Sequence, residues 1–482
     1  MSSTIPARFP TGESRDPRAD GVGAFSGHVS LGALAAPTSP AVSSNGVGFG
    51  RRMERLHVVE GRSGDHLDIH QMLLAIYHAP SAVEFQSSQD DPFYEPSDRL
   101  LIKQGERILS HVQLINREMR FGAMITGVTE FDCLTTWPEY RGQGHATRLL
   151  LAAERKSQDS GSSMAWLRTS WPTFFESRGW CACAQPCFSL ASPRDILSYL
   201  EREQEDSQSD DSPIFNSKQD LLNIRLWRHV EQAALMRLYE EGCQTSYGSL
   251  VRSDAYWRWL SSRRAYDRIY VAIDGPDKID LDKVSESIVG YAVMNRERIV
   301  ELQVDQDHPT AARQLISRAC GDAIERDFHT VRLDAPADHP MHDVFRNSAG
   351  KFFDDEIGGE QTELVKLFDP TGFLRRLCRE LHARAKRASL ARPCELGLRL
   401  NDEKHLLVFG PRSVKLVPGR LGRSYLACTG SEVTRLLLGR LDVHRAVQVG
   451  RIEASTMVAR ELAAVVFPRL PFWRPPLDRL PA

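Results

Sequence analysis

Cysteine is scarce in this chain, the apolar runs are short, and neither sign of charge is in clear excess. Nine cysteines among 482 residues are too few for a disulfide-stapled secreted protein, so we predict a reducing, cytoplasmic compartment. Cys181, Cys183 and Cys187 lack the paired spacing of a structural zinc site, and we predict no metal. The longest apolar runs are far shorter than the roughly 20 residues that cross a bilayer, so no integral membrane association is expected.

The charges nearly cancel, with 61 Lys and Arg residues against 63 Asp and Glu residues. The resulting net charge of −2 gives no general attraction to nucleic acid or to anionic membranes, so no nucleic-acid partner is expected. At roughly 150 residues per domain, the length predicts about three domains.

Composition and periodicity divide the chain into five parts. Residues 1–52 are rich in Gly, Ser, Ala and Pro and are predicted to be a disordered tail. Residues 53–200 alternate between strand-like and helix-like patterns, and residues 213–370 repeat that order, so both are predicted to be α/β. The acidic, aperiodic residues 201–212 are predicted to be the linker between them. Residues 371–482 show the pattern of a smaller α+β domain.

The first α/β part contains the segment that carries the chemistry. A helix is predicted over His66–His78 from its apolar face. Strands are predicted at Leu100–Lys103, Ile108–Asn116, Arg120–Thr126, Glu130–Thr136 and Met164–Thr169. After the fourth of these strands the chain reads Trp-Pro-Glu-Tyr-Arg-Gly-Gln-Gly-His-Ala and enters an amphipathic helix.

That junction has the features of an anion cradle. Successive backbone N–H groups at the positive end of a helix dipole bind phosphates, and glycine lets the backbone approach them closely. Gly142 and Gly144 supply that freedom, and Arg141 adds a cation suited to phosphate. The segment is neither a Walker loop nor a dinucleotide-binding G-x-G-x-x-G. The spacing therefore indicates a site for a cofactor's pyrophosphate or, alternatively, a glycine-rich turn before a structural helix.

Two motifs resemble those of a known family. Arg141-x-x-Gly144-x-Ala146, preceded by a strand and Pro138, resembles the acetyl-CoA signature of the GNAT N-acetyltransferases. Phe174-Phe175-Glu-Ser-Arg-Gly179-Trp180 resembles their later element with an aromatic pair and a glycine. The order and separation of the two motifs favour cofactor binding over a structural turn.

The layout of the whole chain resembles the enhanced intracellular survival (Eis-like) acetyltransferases. That resemblance implies tandem GNAT-like domains followed by an α+β domain with a sterol carrier protein-like fold, and often assembly into hexamers. In the second unit, residues 303–313 replace the phosphate-binding loop and contain no glycine. The second domain is therefore predicted to be degenerate and structural.

The resemblance implies acetyl-CoA as co-substrate and assigns it binding residues. Its pantetheine arm would pair with the edge of the strand at Leu134, Thr135 and Thr136, in the manner of strand addition. Its pyrophosphate would lie on the loop formed by Arg141, Gly142, Gln143, Gly144, His145, Ala146 and Thr147.

The catalytic positions depart from the family pattern. Phe175 occupies the position of the usual tyrosine general acid, and Tyr140, beside the phosphate loop, is poorly placed to replace it. In the Eis-like enzymes the terminal carboxylate acts as a base, which implies Ala482 here. Glu130 and Asp132, on one face of a predicted strand, are alternative bases, and solvated surface carboxylates are the simpler interpretation of each.

Two function classes follow from these observations. The first is an acetyl-CoA-dependent N-acetyltransferase acting on a primary amine, such as a small polyamine, an aminoglycoside-like compound or a lysine side chain. The second is a non-catalytic protein that binds acyl-CoA or lipid on the same scaffold. An intact phosphate loop suits both classes, whereas Phe175 favours the second.

Overall fold

The structure is a computed structural model that describes residues 56–184, 187–209, 221–244, 246–275, 287–353 and 362–481. The predicted tail and Ala482 lie outside the described residues. No helix in the described ranges is long and apolar enough to cross a membrane.

The strands are β1 (Val58–Glu60), β2 (Arg99–Gln104), β3 (Arg107–Phe121), β4 (Met124–Thr136), β5 (Met164–Thr169), β6 (Cys181–Ala184), β7 (Phe188–Ala191), β8 (Asn223–Leu226), β9 (Tyr247–Leu250), β10 (Arg268–Ile273), β11 (Ile288–Asn295), β12 (Arg298–Val304), β13 (Val331–Asp334), β14 (Lys351–Phe353), β15 (Thr362–Leu367), β16 (Cys394–Leu400), β17 (Glu403–Phe409), β18 (Val414–Pro418), β19 (Tyr425–Cys428) and β20 (Glu453–Ala454).

The α-helices are α1 (His66–Tyr77), α2 (Ala82–Gln89), α3 (His145–Asp159), α4 (Pro172–Glu176), α5 (Pro193–Ser209), α6 (Gln232–Cys243), α7 (Asp254–Ser262), α8 (Thr310–Glu325), α9 (Met341–Asn347), α10 (Pro370–Arg387), α11 (Ser431–Leu437), α12 (Val443–Gln448) and α13 (Met457–Val466).

Three sheets organise these elements. The first has the order β1-β2-β3-β4-β5-β15-β6, with β9 also paired to β3, and the second has the order β14-β7-β13-β12-β11-β10-β8. The third, β18-β17-β16-β19-β20, belongs to the C-terminal part together with helices α10 to α13. The chain is therefore mixed α/β, as predicted, and the sterol carrier protein-like fold of its last part stays a prediction.

The first two sheets exchange strands, which the predicted division at residues 200 and 213 did not anticipate. Strand β15 inserts between β5 and β6, with Leu364 opposite Leu167 on one side and Ala182 on the other. Strand β7 leaves the first sheet and pairs with β13 and β14. Local alternation identifies a strand, but its partner depends on which sheet edge the rest of the chain leaves open. The domain boundaries stay a prediction.

Two local predictions also differ from the structure. The predicted strand Arg120–Thr126 spans a hairpin turn, in which Gly122 has a φ of +59° and Phe121 pairs with Met124. The acidic segment predicted as a linker is helical as far as Ser209, because Glu and Gln favour helices and Leu200 is buried in the core under the same helix.

Helix α3 covers the first sheet and directs the loop before it toward the sheet edge. Leu149, Leu150 and Ala153 recur at helical spacing and are fully buried against strands β2 to β5. Burial of this face fixes where the helix begins, and therefore where the glycine-rich loop lies.

Candidate active site

Strands β4 and β5 diverge and leave an opening between them. They pair in parallel from Val128 opposite Met164 to Phe131 opposite Leu167. Beyond Phe131, β4 continues to Thr136 and, among the described residues, pairs only with β3, while β5 pairs with β15 along its other edge over its whole length. The backbone edge of residues 132–136 therefore faces a cleft, and an extended ligand can add to it as a strand.

A β-bulge at Cys133 accompanies this divergence. Residues 132 and 135 lie opposite Gln113 and His111, so β4 carries one extra residue, and Cys133 has a φ of +52°. His111 holds the bulge, since its Nδ1 lies 3.1 Å from the Cys133 carbonyl and its Nε2 lies 3.1 Å from Arg99 Nη1. Burial and the Arg99 charge lower the pKa of His111 to about 3, so the neutral ring accepts from Arg99 and donates to the carbonyl.

The glycine-rich loop opens toward the same cleft. Gly142 has a φ of +76° and Gly144, the N-cap of α3, has a φ of +79°. A Cβ added at either glycine would meet no atom within 4 Å, so a ligand can approach this backbone from outside. Arg141 Nε donates to the Thr136 carbonyl at 3.2 Å and ties the loop to the end of β4. These features suit a diphosphate at the helix N-terminus.

The cleft encloses about 420 Å³ beside this edge. Its lining residues are Tyr77, Leu134, Thr135, Thr136, Arg141, Ala146, Thr169, Trp171, Phe174 and Phe175. Five of the ten predicted cofactor-binding residues are among them. The other five lie in the loop or in the first turn of α3, namely Gly142, Gln143, Gly144, His145 and Thr147. His145 is 4% exposed, and neither of its ring nitrogens has a hydrogen-bond partner in the described part of the chain.

Phe175 lies in this cleft and has no proton to donate. Its ring is 3% exposed and contacts Phe174 and Trp180 edge-on. The Tyr140 hydroxyl instead accepts a hydrogen bond from Arg107 at 3.2 Å, outside the cleft lining. Tyr77, at the end of α1, does line the cleft. It lies far from the recognised motifs in sequence, so no local signal pointed to it.

A second, larger cleft of about 1260 Å³, here called the acceptor cleft, contains both predicted carboxylates. Its charged lining residues are Glu84, Asp91, Glu130, Asp132 and Asp478 together with Arg117, Arg168, Arg263, Arg474 and Arg479. Phe131 and Asp132 line this cleft and Leu134 lines the first, so the two clefts border neighbouring residues of β4 on either side of Cys133.

The two candidate bases have different surroundings. Glu130 is bound by Arg474 at 2.9 and 3.3 Å and lies 3.7 Å from Arg479. Asp132 forms no ion pair with any described residue and accepts a hydrogen bond from the Cys133 thiol at 3.2 Å. Burial, and to a smaller extent the Glu130 charge, raises the pKa of Asp132. Asp132 is therefore the carboxylate better suited to accept a proton.

The C-terminal segment forms one wall of the acceptor cleft, and no local sequence pattern indicated which of its side chains line it. Arg474, Asp478 and Pro481 line it, and Pro481 is the last described residue. Asp478 is held by Arg252 Nε at 2.9 Å, and Arg252 also binds Glu301 at 2.6 and 2.9 Å. The assignment of Ala482 as a base stays a prediction.

Metal-ligating side chains are not grouped in the described ranges, where no cluster of three or more His, Cys, Asp or Glu residues has the geometry to hold an ion. The sulfur atoms of Cys181 and Cys183 lie 3.2 Å apart in the core. Cys187 contacts His342 instead, at 3.9 Å.

The opening between β4 and β5, the bulge and the glycine-rich loop lie within one stretch of the chain that matches a known family. Residues 61–183 match a family model described as an acetyltransferase (GNAT) domain. The matched range contains the opening, the loop and α4, so the GNAT resemblance is confirmed for this part of the chain. No curated protein matches the sequence significantly.

Solved structures share the fold over most of the chain. The GCN5-related N-acetyltransferase from Kribbella flavida is 14% identical with a TM-score of 0.63, and the match covers 87% of this chain and 97% of that protein. The GCN5-related N-acetyltransferase from Anabaena variabilis is 13% identical with a TM-score of 0.64, over 87% and 99% of the two chains. Eis1 from Mycobacterium abscessus is 14% identical with a TM-score of 0.59, over 86% and 98%. At these identities the likeness concerns the fold.

Proposed function

We propose that this protein transfers an acetyl group from acetyl-CoA to a primary amine by direct attack within a ternary complex. The observation that carries the proposal is the unpaired edge of β4 beside an open glycine loop at a helix N-terminus. GNAT enzymes take acetyl-CoA as co-substrate and act on small amines, and residues 61–183 match that family.

The residues of the first cleft fit acetyl-CoA. Leu134, Thr135 and Thr136 offer backbone groups to the amides of the pantetheine arm, and residues 141–147 offer N–H groups and a cation to the pyrophosphate. A side chain at position 142 or 144 would project into the space from which the ligand approaches. When bound, acetyl-CoA supplies the thioester whose carbonyl the amine attacks.

The acceptor cleft supplies the groups for proton transfer. A C–N bond forms as the C–S bond breaks, and the amine loses a proton while the thiolate gains one. Asp132 takes the amine proton, directly or through water, because burial raises its pKa and it forms no ion pair with any described residue, whereas Glu130 is bound by Arg474. Backbone N–H groups around Leu134 stabilise the developing oxyanion.

The leaving thiolate needs less help than an alkoxide. A thiol has a pKa near 8.5, so it leaves as an anion at a tolerable rate without an acid. Tyr77 lines the same cleft as Phe175 and is the candidate donor when assistance is given.

The test is a turnover assay with acetyl-CoA and a panel of primary amines, in which thiol release is followed with a thiol-reactive dye. Amine-dependent thiol release and an acetylated product by mass spectrometry are the expected results. Tight acetyl-CoA binding without release for any amine would instead support the alternative, a non-catalytic acyl-CoA-binding protein, which Phe175 favours. The hexameric state, the cytoplasmic location and the lipid-binding alternative stay predictions.

A further inference from the structure

The arginines of the acceptor cleft differ in how their charges are compensated. Arg117 is paired with Asp91, and Arg474 with Glu130. Arg168 and Arg479 share Glu363, and Arg479 also approaches Glu130. Three guanidinium groups at the β4–β5 end of the cleft therefore share two carboxylates, Glu130 and Glu363.

Arg263, which follows α7, has no such partner. No carboxylate of the described residues lies within ion-pair distance of it, although it lines the cleft. It donates to the Leu477 carbonyl, and its guanidinium lies 4.5 Å from the centre of the Trp259 ring. Its Nε is buried and has no hydrogen-bond partner among the residues that the structure describes. A buried donor on a charged group that finds no acceptor costs free energy unless a ligand supplies one.

The two carboxylates that act on Arg263 from a distance are each paired with another arginine. Asp478 is bound by Arg252, and Asp91 is bound by Arg117. Burial lowers the pKa of Arg263 in spite of them, although an arginine remains protonated at neutral pH. Among the described residues, the Arg263 side chain is thus a cation of the cleft without a carboxylate partner of its own.

We propose that Arg263 is an anion-binding subsite of the acceptor cleft, so that the preferred acceptor is an amine that also carries an anionic oxyacid group, a carboxylate or a phosphate. The amine would lie near Asp132 and the anion at Arg263, with Trp259 and Tyr256 beside the connecting chain. This inference rests on the proposed acetyl transfer. It distinguishes the site from one built for purely cationic polyamines, because such an acceptor would leave Arg263 facing like charge.

The test compares acceptors that differ only in the anion. A series of ω-amino acids of increasing chain length is assayed against the matching ω-amino carboxamides, with ω-aminoalkylphosphonates as the phosphate arm. A charge-assisted hydrogen bond is worth enough to raise kcat/KM for the acid about 10- to 100-fold over its amide at the best length. A preference for the phosphonate would identify phosphate as the natural anion.

Variants test whether Arg263 is the source of the preference for an acid over its amide. Arg263→Met should bring the acid-to-amide ratio of kcat/KM close to one, and Arg263→Lys should keep part of it. Arg264→Met removes an equal charge from the exposed neighbouring position and should leave the ratio unchanged. Thermal melting and the KM for acetyl-CoA check that each variant is folded.

The outcomes separate the two proposals. Equal turnover of acids and amides by the wild type would overturn the subsite and leave acetyl transfer standing. A preference that survives in Arg263→Met would also overturn it. Acetyl-CoA binding without transfer to any acceptor would overturn the proposed function and, with it, the subsite.

Discussion

Replacing Arg252 by methionine should destabilise the protein and free the C-terminal segment from the acceptor cleft. The Arg252 side chain is 0% exposed, and those of Glu301 and Asp478 are each 1% exposed. The Arg252 guanidinium donates to the carboxylates of Glu301 and Asp478 at 2.6 to 3.1 Å and lies 3.9 Å from the centre of the Tyr239 ring. It is the link between β12, which carries Glu301, and the segment that carries Asp478.

The expected loss follows from burial. Removing one partner of a buried ion pair costs about 3–5 kcal/mol, because the remaining charge is left in a low dielectric. Two carboxylates lose their cation here, so we expect a loss in the upper part of that range. Adding Glu301→Gln and Asp478→Asn should restore part of it, since neutral amides need no counter-ion.

Urea denaturation of the wild type and the variants measures this loss. Arg258→Met is the matched control, because Arg258 is 73% exposed in an i,i+4 pair and should change stability by less than about 0.5 kcal/mol. Release of the segment should also raise the KM for the amine and expose residues near Arg474 to proteolysis. A free energy of unfolding of Arg252→Met within about 1 kcal/mol of the wild type would contradict this prediction, because the expected loss of stability is at least about 3 kcal/mol.

Three further predictions concern the reacting groups. Asp132→Asn should lower kcat/KM about 100-fold or more. In the wild type, activity should fall as the pH falls through the raised pKa of Asp132, and a pH–rate profile with its acidic limb near the ordinary aspartate value of about 3.9 would contradict that role. Phe175→Tyr should raise kcat a few-fold (~3-fold) with little change in acetyl-CoA affinity, since a phenol at this position can protonate the thiolate; stopped-flow thiol release measures it, and an unchanged kcat would show that the leaving group needs no acid. Tyr77→Phe should lower kcat about tenfold if Tyr77 is that acid, and full activity in the same assay would exclude it.

Local patterns correctly predicted the loop and helix that are proposed to bind the cofactor, because short-range geometry determines them. The apolar spacing of α3 and the two glycines before it locate a helix N-terminus without tertiary information, and the structure has its N-cap at Gly144. The alternation at Glu130–Thr136 located only the second half of β4, which begins at Met124. The bulge at Cys133 was not predictable from that alternation, because it depends on the pairing with His111 across the hairpin.

Contacts between residues from distant parts of the chain could not be predicted from local patterns. No local pattern in the C-terminal segment indicates that Glu130 is the partner of Arg474. The exchange of β7 and β15 between sheets has the same origin, since edge pairing is decided by the assembled sheet. Asp132 and Glu130 looked equivalent in sequence, and only the position of Arg474 separates them.

The most direct test of the central claim is titration calorimetry of the purified protein with acetyl-CoA, with Gly144→Asp as the comparison. We expect the wild type to bind acetyl-CoA with micromolar affinity. We expect no detectable binding to Gly144→Asp, because a carboxylate would then project from the loop that is proposed to hold the pyrophosphate. The backbone at this position, with a φ of +79°, also disfavours any side chain. Equal affinity of the two proteins, or no binding to the wild type, would contradict the assignment of residues 141–147 as the cofactor site.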